Sequence, residues 1–263
     1  MLKKLLKYDL KNVYKVLVVF YALSLFFAVL TRVLLSIENS FIMNIIGRVC
    51  SGVTISMIFN VLINNILRMW ARFRTNLYSD EGYLTHTLPV TRNKLYASKT
   101  ICAILSLFVS FAVIGITLFV AYYSKENIEM VKSVLLPMAK AYNSSIVVIL
   151  CVFLFILFLQ FFNILQCGTL GIILGHKMNS SKIGFSVLFG FISYLASQNI
   201  ALLGVFICSL FSKELMNLFI TNEIVGIEQI KSTLLIAIIT YVVIISVGTV
   251  VSVKLFKKGV NLD

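Results

Sequence analysis

The sequence predicts an all-α, polytopic membrane protein with six transmembrane helices and cytoplasmic N and C termini, and three observations carry that prediction. Of the 263 residues 60% are apolar and only 13% charged, with a mean hydropathy of +1.00. A soluble domain with that composition would hold more apolar side chain than its core could bury. The apolar residues also gather into six windows that reach the about 20 residues a helix needs to cross the hydrocarbon core. They are Val13 to Ile37, Phe41 to Leu67, Ile101 to Tyr123, Ile146 to Leu174, Ile183 to Phe211 and Thr233 to Leu255. Finally, with the termini inside, sixteen Lys and Arg residues flank the spans on the cytoplasmic side and five on the outer side. Basic residues resist translocation, so this asymmetry sets the orientation and explains the net charge of +13 without nucleic acid.

The whole chain, 1–263, is expected to form a single transmembrane domain, and its elements can be justified in order. In residues 1–12, Leu2, Leu5, Leu6, Tyr8 and Leu10 interleave with Lys3, Lys4, Lys7 and Lys11. This pattern predicts a short amphipathic helix on the inner membrane surface, where lysines favour anionic lipid, before the chain turns into span one. That apolar run is too long for a signal core and has no small-x-small cleavage pattern, so an uncleaved span is expected. Arg32 lies near the outer end of span one, where its stem can snorkel. Span two places Asn44, Arg48 and Ser51 on one helical face. Span four does the same for Gln160, Asn163 and Cys167. Gly171 and Gly175, four apart in GTLGIILG, form a small-residue contact surface on that span. Span five carries a second small stripe, Ser186, Gly190, Ser193 and Ser197, and is interrupted at Gln198 and Asn199. Either it continues through the two amides or it ends there and a re-entrant piece follows.

Several function classes are disfavoured by what the spans lack. No Asp or Glu falls inside the six windows. Transporters driven by ion gradients commonly place carboxylates there. No G-x-x-x-x-G-K-[ST] phosphate loop occurs, so the chain is expected to bind no ATP of its own and to contribute no catalytic group. Cys50, Cys102, Cys151, Cys167 and Cys208 all lie within spans and read as small apolar packing residues rather than a disulfide framework. His86 and His176 sit in separate cytoplasmic loops without ligand spacing, so no metal site is expected and each histidine is read as solvated or partner-facing.

The cytoplasmic stretch 68–100 is the long polar passage of the chain. Ser79 can cap a short helix through Asp80, Glu81, Gly82, Tyr83, Leu84, Thr85 and His86, with both acids in its first turn. Pro89 forces the residue before it out of helical geometry and ends that helix. Thr91 can cap the next helix, which leads through Arg92, Lys94, Leu95 and Lys99 into span three. Two readings of the short helix stand level on local pattern. Tyr83, Leu84 and Leu88 fill a groove in a soluble partner, or they rest on the bilayer surface.

The run DEGYLTHTLPVTRNKLYASK, Asp80 to Lys99, resembles the first intracellular loop of bacterial ABC transporter permeases of the type-2 (ABC-2) exporter class. There E-G-Y-L, T-L-P-V, a basic residue, leucine and S-K recur at this spacing. The MLKKLLKYDLK opening, the GHKMNSSKIG turn and the KLFKKGVNLD tail are similar too. The resemblance implies a multi-pass permease subunit of the bacterial plasma membrane. The chain departs from exporters of the wider superfamily that carry a large outer domain, since its expected outer segments, Lys125 to Ser145 and Ser212 to Ser232, are only about twenty residues each. It would dimerise, as a homodimer or related heterodimer, and couple to a separate cytosolic ATPase that binds ATP and Mg. It further implies a coupling role for Asp80, Glu81, Gly82, Tyr83, Leu84, Thr85, Leu88 and Pro89. In similar permeases the first and fifth spans form the dimer contact, so Ser186, Gly190, Ser193 and Ser197 are candidates for that interface or for helix contacts within one chain. Asn44, Arg48, Ser51, Gln160 and Asn163 either line a substrate cleft or serve interhelical hydrogen bonding and snorkelling. An antimicrobial peptide, drug, lipid or cation would suit an apolar cleft. The competing function is an ATP-independent channel or an immunity-type membrane protein.

Overall fold

A computed structural model describes residues 2–37, 41–211, 216, 220 and 226–259. Its helices are α1 (Leu2–Leu35), α2 (Phe41–Leu77), α3 (Asp80–Thr87), α4 (Arg92–Tyr122), α5 (Lys125–Ala141), α6 (Ile146–Gly175), α7 (Lys182–Ser209) and α8 (Ile227–Lys257). Among the described residues six helices, α1, α2, α4, α6, α7 and α8, are long and apolar enough to cross a membrane. Each contains one of the six windows read from the sequence, apart from window ends at Ile37, Tyr123 and Phe211. The chain divides into two compact units, Met1–Ile128 and Glu129–Asp263.

In the first unit α1 packs against α2 and α4 along one stripe: Asp9, Val13, Leu17, Tyr21, Ser24, Ala28 and Thr31 are all buried. The spacing of three to four residues keeps that stripe on one face. Polar side chains punctuate it. Tyr21 Oη lies 2.7 Å from Ser110 Oγ, Asn65 Nδ2 donates to Ser110 Oγ at 2.6 Å, and Thr31 and Thr54 pair at 3.0 Å. In hydrocarbon such groups have no water to turn to, so they bond across the helix seam.

Residues 1–12, expected as a separate interfacial helix, are instead the first turns of a continuous α1 from Leu2. The physical reason is Asp9. Its side chain is 4% exposed and bonded to α2 and α4, which holds this part of α1 in line with its span. Two more helices overrun their spans on this side. α2 continues ten residues past Leu67, to Leu77, and α4 begins nine residues before Ile101, at Arg92. These extensions carry the polar loop away from the hydrocarbon.

In the second unit α6 packs on α7 and α8. The α6–α7 seam is steric. A methyl group added at Gly171 would run into the backbone of Gly190 and the carbonyl of Ser186, and one at Gly175 would strike Ser186. Absent side chains here let two backbones approach closely. α7 runs unbroken through Gln198 and Asn199, so there is no re-entrant piece after Gln198. Gln198 Oε1 accepts from Tyr241 Oη of α8 at 3.2 Å and Asn199 donates to Leu195 O at 2.9 Å, so each amide has a partner within an unbroken helix. Residues 125–145, expected as an outer connection, contain α5, whose Met138 and Ala139 bury against Ile149. Pro137 lies inside α5 and masks its helical pattern in the sequence. The other outer segment, 212–232, falls largely outside the described residues, as do 260–263 of the tail.

Replacing Gly171 with Leu is expected to destabilise the protein by about 1–3 kcal/mol through overpacking. Gly52→Ala, where a methyl group meets nothing within 4 Å, is expected to leave stability unchanged. Thermal unfolding of the two variants in detergent checks this, and equal melting points would contradict the steric seam.

Candidate functional site

The polar loop folds onto the N-terminal ends of α1 and α4 and the C-terminal end of α2 in the first unit, above a small apolar floor. Phe73, Leu77, Tyr78, Leu95 and Tyr96 are each at most 4% exposed. Phe73 meets Tyr96 edge-to-face and Tyr78 in a tilted arrangement, both with ring centroids 6.2 Å apart. Ser79 and Thr91 occupy the expected N-cap positions of α3 and α4 in extended conformation, but neither side chain caps its helix. At α3 the Ser79 carbonyl instead accepts from Gly82 N at 2.6 Å. Leu88, at φ −64° and ψ 141°, leaves helical geometry just before Pro89.

α3 has two faces. Glu81, Gly82 and Thr85 look inward, and both Gly82 and Thr85 are buried. Asp80, Tyr83, Leu84 and Thr87 are exposed, as are Leu88 and Pro89 after the helix. Tyr83 is 57% exposed and Leu84 75%, high values for large apolar groups on a helix end.

The inward face is anchored by charge. Arg72 Nη1 of α2 donates to both carboxylate oxygens of Glu81, at 2.6 and 2.8 Å, and its Nε lies 3.3 Å from Asp9 Oδ1 of α1. Lys99 Nζ of α4 approaches the same Asp9 oxygen at 2.5 Å, while Ser98 Oγ donates to Asp9 Oδ2 at 3.2 Å. Asn76 donates to Glu81 at 2.8 Å and to Thr85 Oγ1 at 3.2 Å. His86 Nε2 lies 3.0 Å from Leu77 O, and Arg68 donates to Asn12 at 2.6 Å. Two acids and two bases thus form a neutral quartet across four helices. Partial burial pushes the Glu81 carboxyl up. Hydrogen bonds from Asn76 and Arg72, with the nearby positive charges of Arg72 and Lys99, outweigh it and hold the group below its usual 4.5.

The sequence singles out Glu81 but gives Asp9 and Arg72 no role beyond their charge, and it places Lys99 only on the helix leading into span three and at the end of the run from Asp80. A signal for Asp9 was present. Stepping back one turn along the stripe Tyr21, Leu17, Val13 lands on it, an acid on the face that α1 buries.

The remaining predicted residues fall in separate places. Asn44 and Arg48 are exposed on α2, and Ser51 bonds Tyr122 Oη at 2.8 Å, all within the first unit. In the second unit Gln160 donates to Tyr194 at 3.3 Å and Asn163 to Ser197 at 2.9 Å. Ser186, Gly190 and Ser197 face α6 of the same chain, with Ser186 and Ser197 buried, and Ser193 is half-buried. Lying next to the C-terminus of α6, His176 is fully buried rather than solvated, its Nδ1 2.8 Å from Ile172 O. No group of three or more His, Cys, Asp or Glu able to hold a metal occurs among the described residues.

Fold and site together define a multi-pass membrane protein with a short, two-faced helix held by ion pairs where three spanning helices end. No protein-family model, curated protein or solved structure matches the chain.

Because the native state holds the Glu81 carboxyl below its unfolded value, the anchoring of α3 is complete above the ordinary carboxylate range. It is lost as pH falls through the lower native value. Hydrogen exchange of residues 80–87 is therefore expected to be slow at pH 6 and to quicken below pH 4 beyond its intrinsic pH dependence. Glu81→Gln should remove that transition, and an unchanged transition in the variant would assign it to another group.

Proposed function

We propose that the chain is the membrane-spanning permease subunit of an ATP-driven ABC exporter of the type-2 class. In this reading it sits in a bacterial plasma membrane, works as a dimer, and couples through α3 to a separate cytosolic ATPase. ATP and Mg would be bound, and ATP hydrolysed, by that ATPase, with the permease contributing no catalytic group. The substrate would be an antimicrobial peptide, a drug or a lipid.

The observation that carries the reading is the depth of α3. Its anchors on α2, from Arg72 to Leu77, lie five to ten residues past the end of the apolar window at Leu67, about 7 to 15 Å along a helix. The headgroup layer on one side of a bilayer is only about 5–7 Å thick. A helix held at that depth presents Tyr83, Leu84 and Leu88 to the cytosol rather than to headgroups. Exposed apolar side chains in water are a docking surface in want of a partner. Asp80 beside them and the exposed Arg92, Asn93 and Lys94 after Pro89 supply a polar rim. The resemblance of Asp80 to Lys99 to the coupling loop of ABC-2 permeases names the partner.

The test is co-expression with a P-loop ATPase lacking membrane spans, taken from a gene neighbouring this chain's where one encodes such a protein. The ATPase is expected to co-purify with the wild type, and Tyr83→Ala with Leu84→Ala is expected to weaken that association by at least tenfold, a loss of about 1.4 kcal/mol. Failure of the wild-type chain to retain any ATPase, or ion conductance by the isolated chain in planar bilayers, would replace the exporter with a self-sufficient channel. In the exporter reading Arg48, an exposed guanidinium on the spanning part of α2, faces the translocation path, since a cation facing lipid there is costly. Arg48→Leu is expected to reduce substrate efflux from proteoliposomes several-fold with ATPase binding intact; normal efflux would remove Arg48 from the path.

A further inference from the structure

We propose that Arg72 is the positioning residue of α3 and that Asp9, Arg72, Lys99 and Glu81 act as a charge latch, so that α3 cannot be displaced without rearranging the cytoplasmic ends of α1 and α4. This deepens the coupling role proposed above and rests on it for the identity of the force that displaces α3.

The latch follows from which member of the quartet can leave. Side-chain exposure is 4% for Asp9, 6% for Lys99 and 12% for Arg72, but 44% for Glu81. Three members are locked into the ends of the spanning helices and one rides on the helix that offers its other face to the cytosol. While Glu81 is in place the quartet is neutral. When α3 is pulled outward, Asp9 must balance both Arg72 and Lys99 alone, and a net positive charge is left in a nearly dry site. An uncompensated buried charge is strongly unfavourable. The remaining triad can relieve it by admitting water, by moving apart or by losing the Lys99 proton, and the first two responses shift α1 and α4, because Asp9 and Lys99 belong to them.

Arg72 suits this position because its fork engages two acids on different helices at once, Nη1 on Glu81 and Nε on Asp9. A lysine ammonium is a point charge and cannot hold both directions with the same geometry. The neutral neighbours give the latch its register: Asn76 holds Glu81 and Thr85 together, and Ser98 takes the second Asp9 oxygen. Asp9 also receives no donor from α3, so every link between α3 and α1 described by these ion pairs passes through Arg72.

The experiment uses the full chain in nanodiscs with spin labels at Thr87 on α3 and Lys7 on α1, both exposed positions. Without any ATPase, Glu81→Gln is expected to broaden the label-to-label distance distribution, and Arg72→Ala to broaden it at least as far. Arg72→Lys should restore part of the wild-type distribution and Arg72→Met, which fills similar space without charge, should restore less, a difference that a merely space-filling role would not predict. Glu81→Gln keeps the buried triad intact, so it reads the latch even where Arg72→Ala fails to fold. A Glu81→Gln distribution superimposable on the wild type would overturn the proposal. With the ATPase bound, nucleotide is expected to shift a second distance, between α1 and α4, in the wild type but not in Glu81→Gln, and a shift that survives in the variant would likewise overturn it. If the wild type binds no ATPase, the exporter reading fails while the first measurement still decides the latch.

Discussion

Everything at the α3 end of the first unit depends on one constraint: Asp9 is a buried carboxylate and must be compensated. At 4% side-chain exposure its charge is tolerable only with Lys99, Arg72 and Ser98 around it, and those partners come from the ends of two other helices. Satisfying one acid therefore fixes the lower ends of α1, α2 and α4 relative to one another. It keeps residues 2–12 continuous with the first span. Because Arg72 is shared with Glu81, it also sets the orientation of α3, and with it the faces that Tyr83 and Leu84 present.

The fold was legible wherever hydropathy alone decides it. Six windows and their approximate bounds follow from the requirement to cover hydrocarbon with apolar side chains, and all six helices appear. Residues outside the hydrocarbon were harder to read, because there the chain has a choice. The opening segment could lie on the membrane or extend from it, and its alternating Leu and Lys fit both. Only the tertiary partners of Asp9, ninety residues away at Lys99, separate the two. Pro137 hid α5 for a different reason: local propensity argues against a helix there, and burial of Met138 and Ala139 against Ile149 overrides it. At Gln198 and Asn199 polarity suggested a break, but Tyr241 and the Leu195 carbonyl each bond one of the amides within a continuous helix.

Of the candidate site, the helix from Asp80 and its end at Pro89 were legible, because cap and proline rules are local. The outward placement of Tyr83, Leu84 and Leu88 was legible too, since both readings of the helix offer them to a partner or to the bilayer surface. Nothing local separates Glu81, Gly82 and Thr85 from Asp80, whereas the fold turns these three onto α2. That division changes their meaning. Glu81 and Thr85 are spoken for by Arg72 and Asn76, so a partner docking on α3 meets chiefly Asp80, Tyr83, Leu84 and Leu88.

Both units carry side-chain hydrogen bonds between helices, but in the second the backbones of α6 and α7 also approach closely, and the difference bears on how a displacement at α3 would travel. In the second unit the α6–α7 seam rests on the close approach of Gly171 and Gly175 to Gly190 and Ser186, together with Asn163 on Ser197. In the first unit six hydrogen bonds between side chains cross the α1, α2 and α4 seams within the spans, from Asn65 with Ser106 and Ser110 up to Ser51 with Tyr122. At about 0.6 kcal/mol each, a typical value within membranes, no single one is decisive. Together they come to about 4 kcal/mol, and because they are directional a slip of one helix along another would sacrifice most of them at once. Sliding is therefore the costly response to a force at the α3 end, and displacement of α1, α2 and α4 as one body is the cheap one. A push that enters through Glu81 and Arg72 can then reach the outer ends of these helices, where Arg32 of α1 holds the carbonyl of Tyr123, without being dissipated on the way.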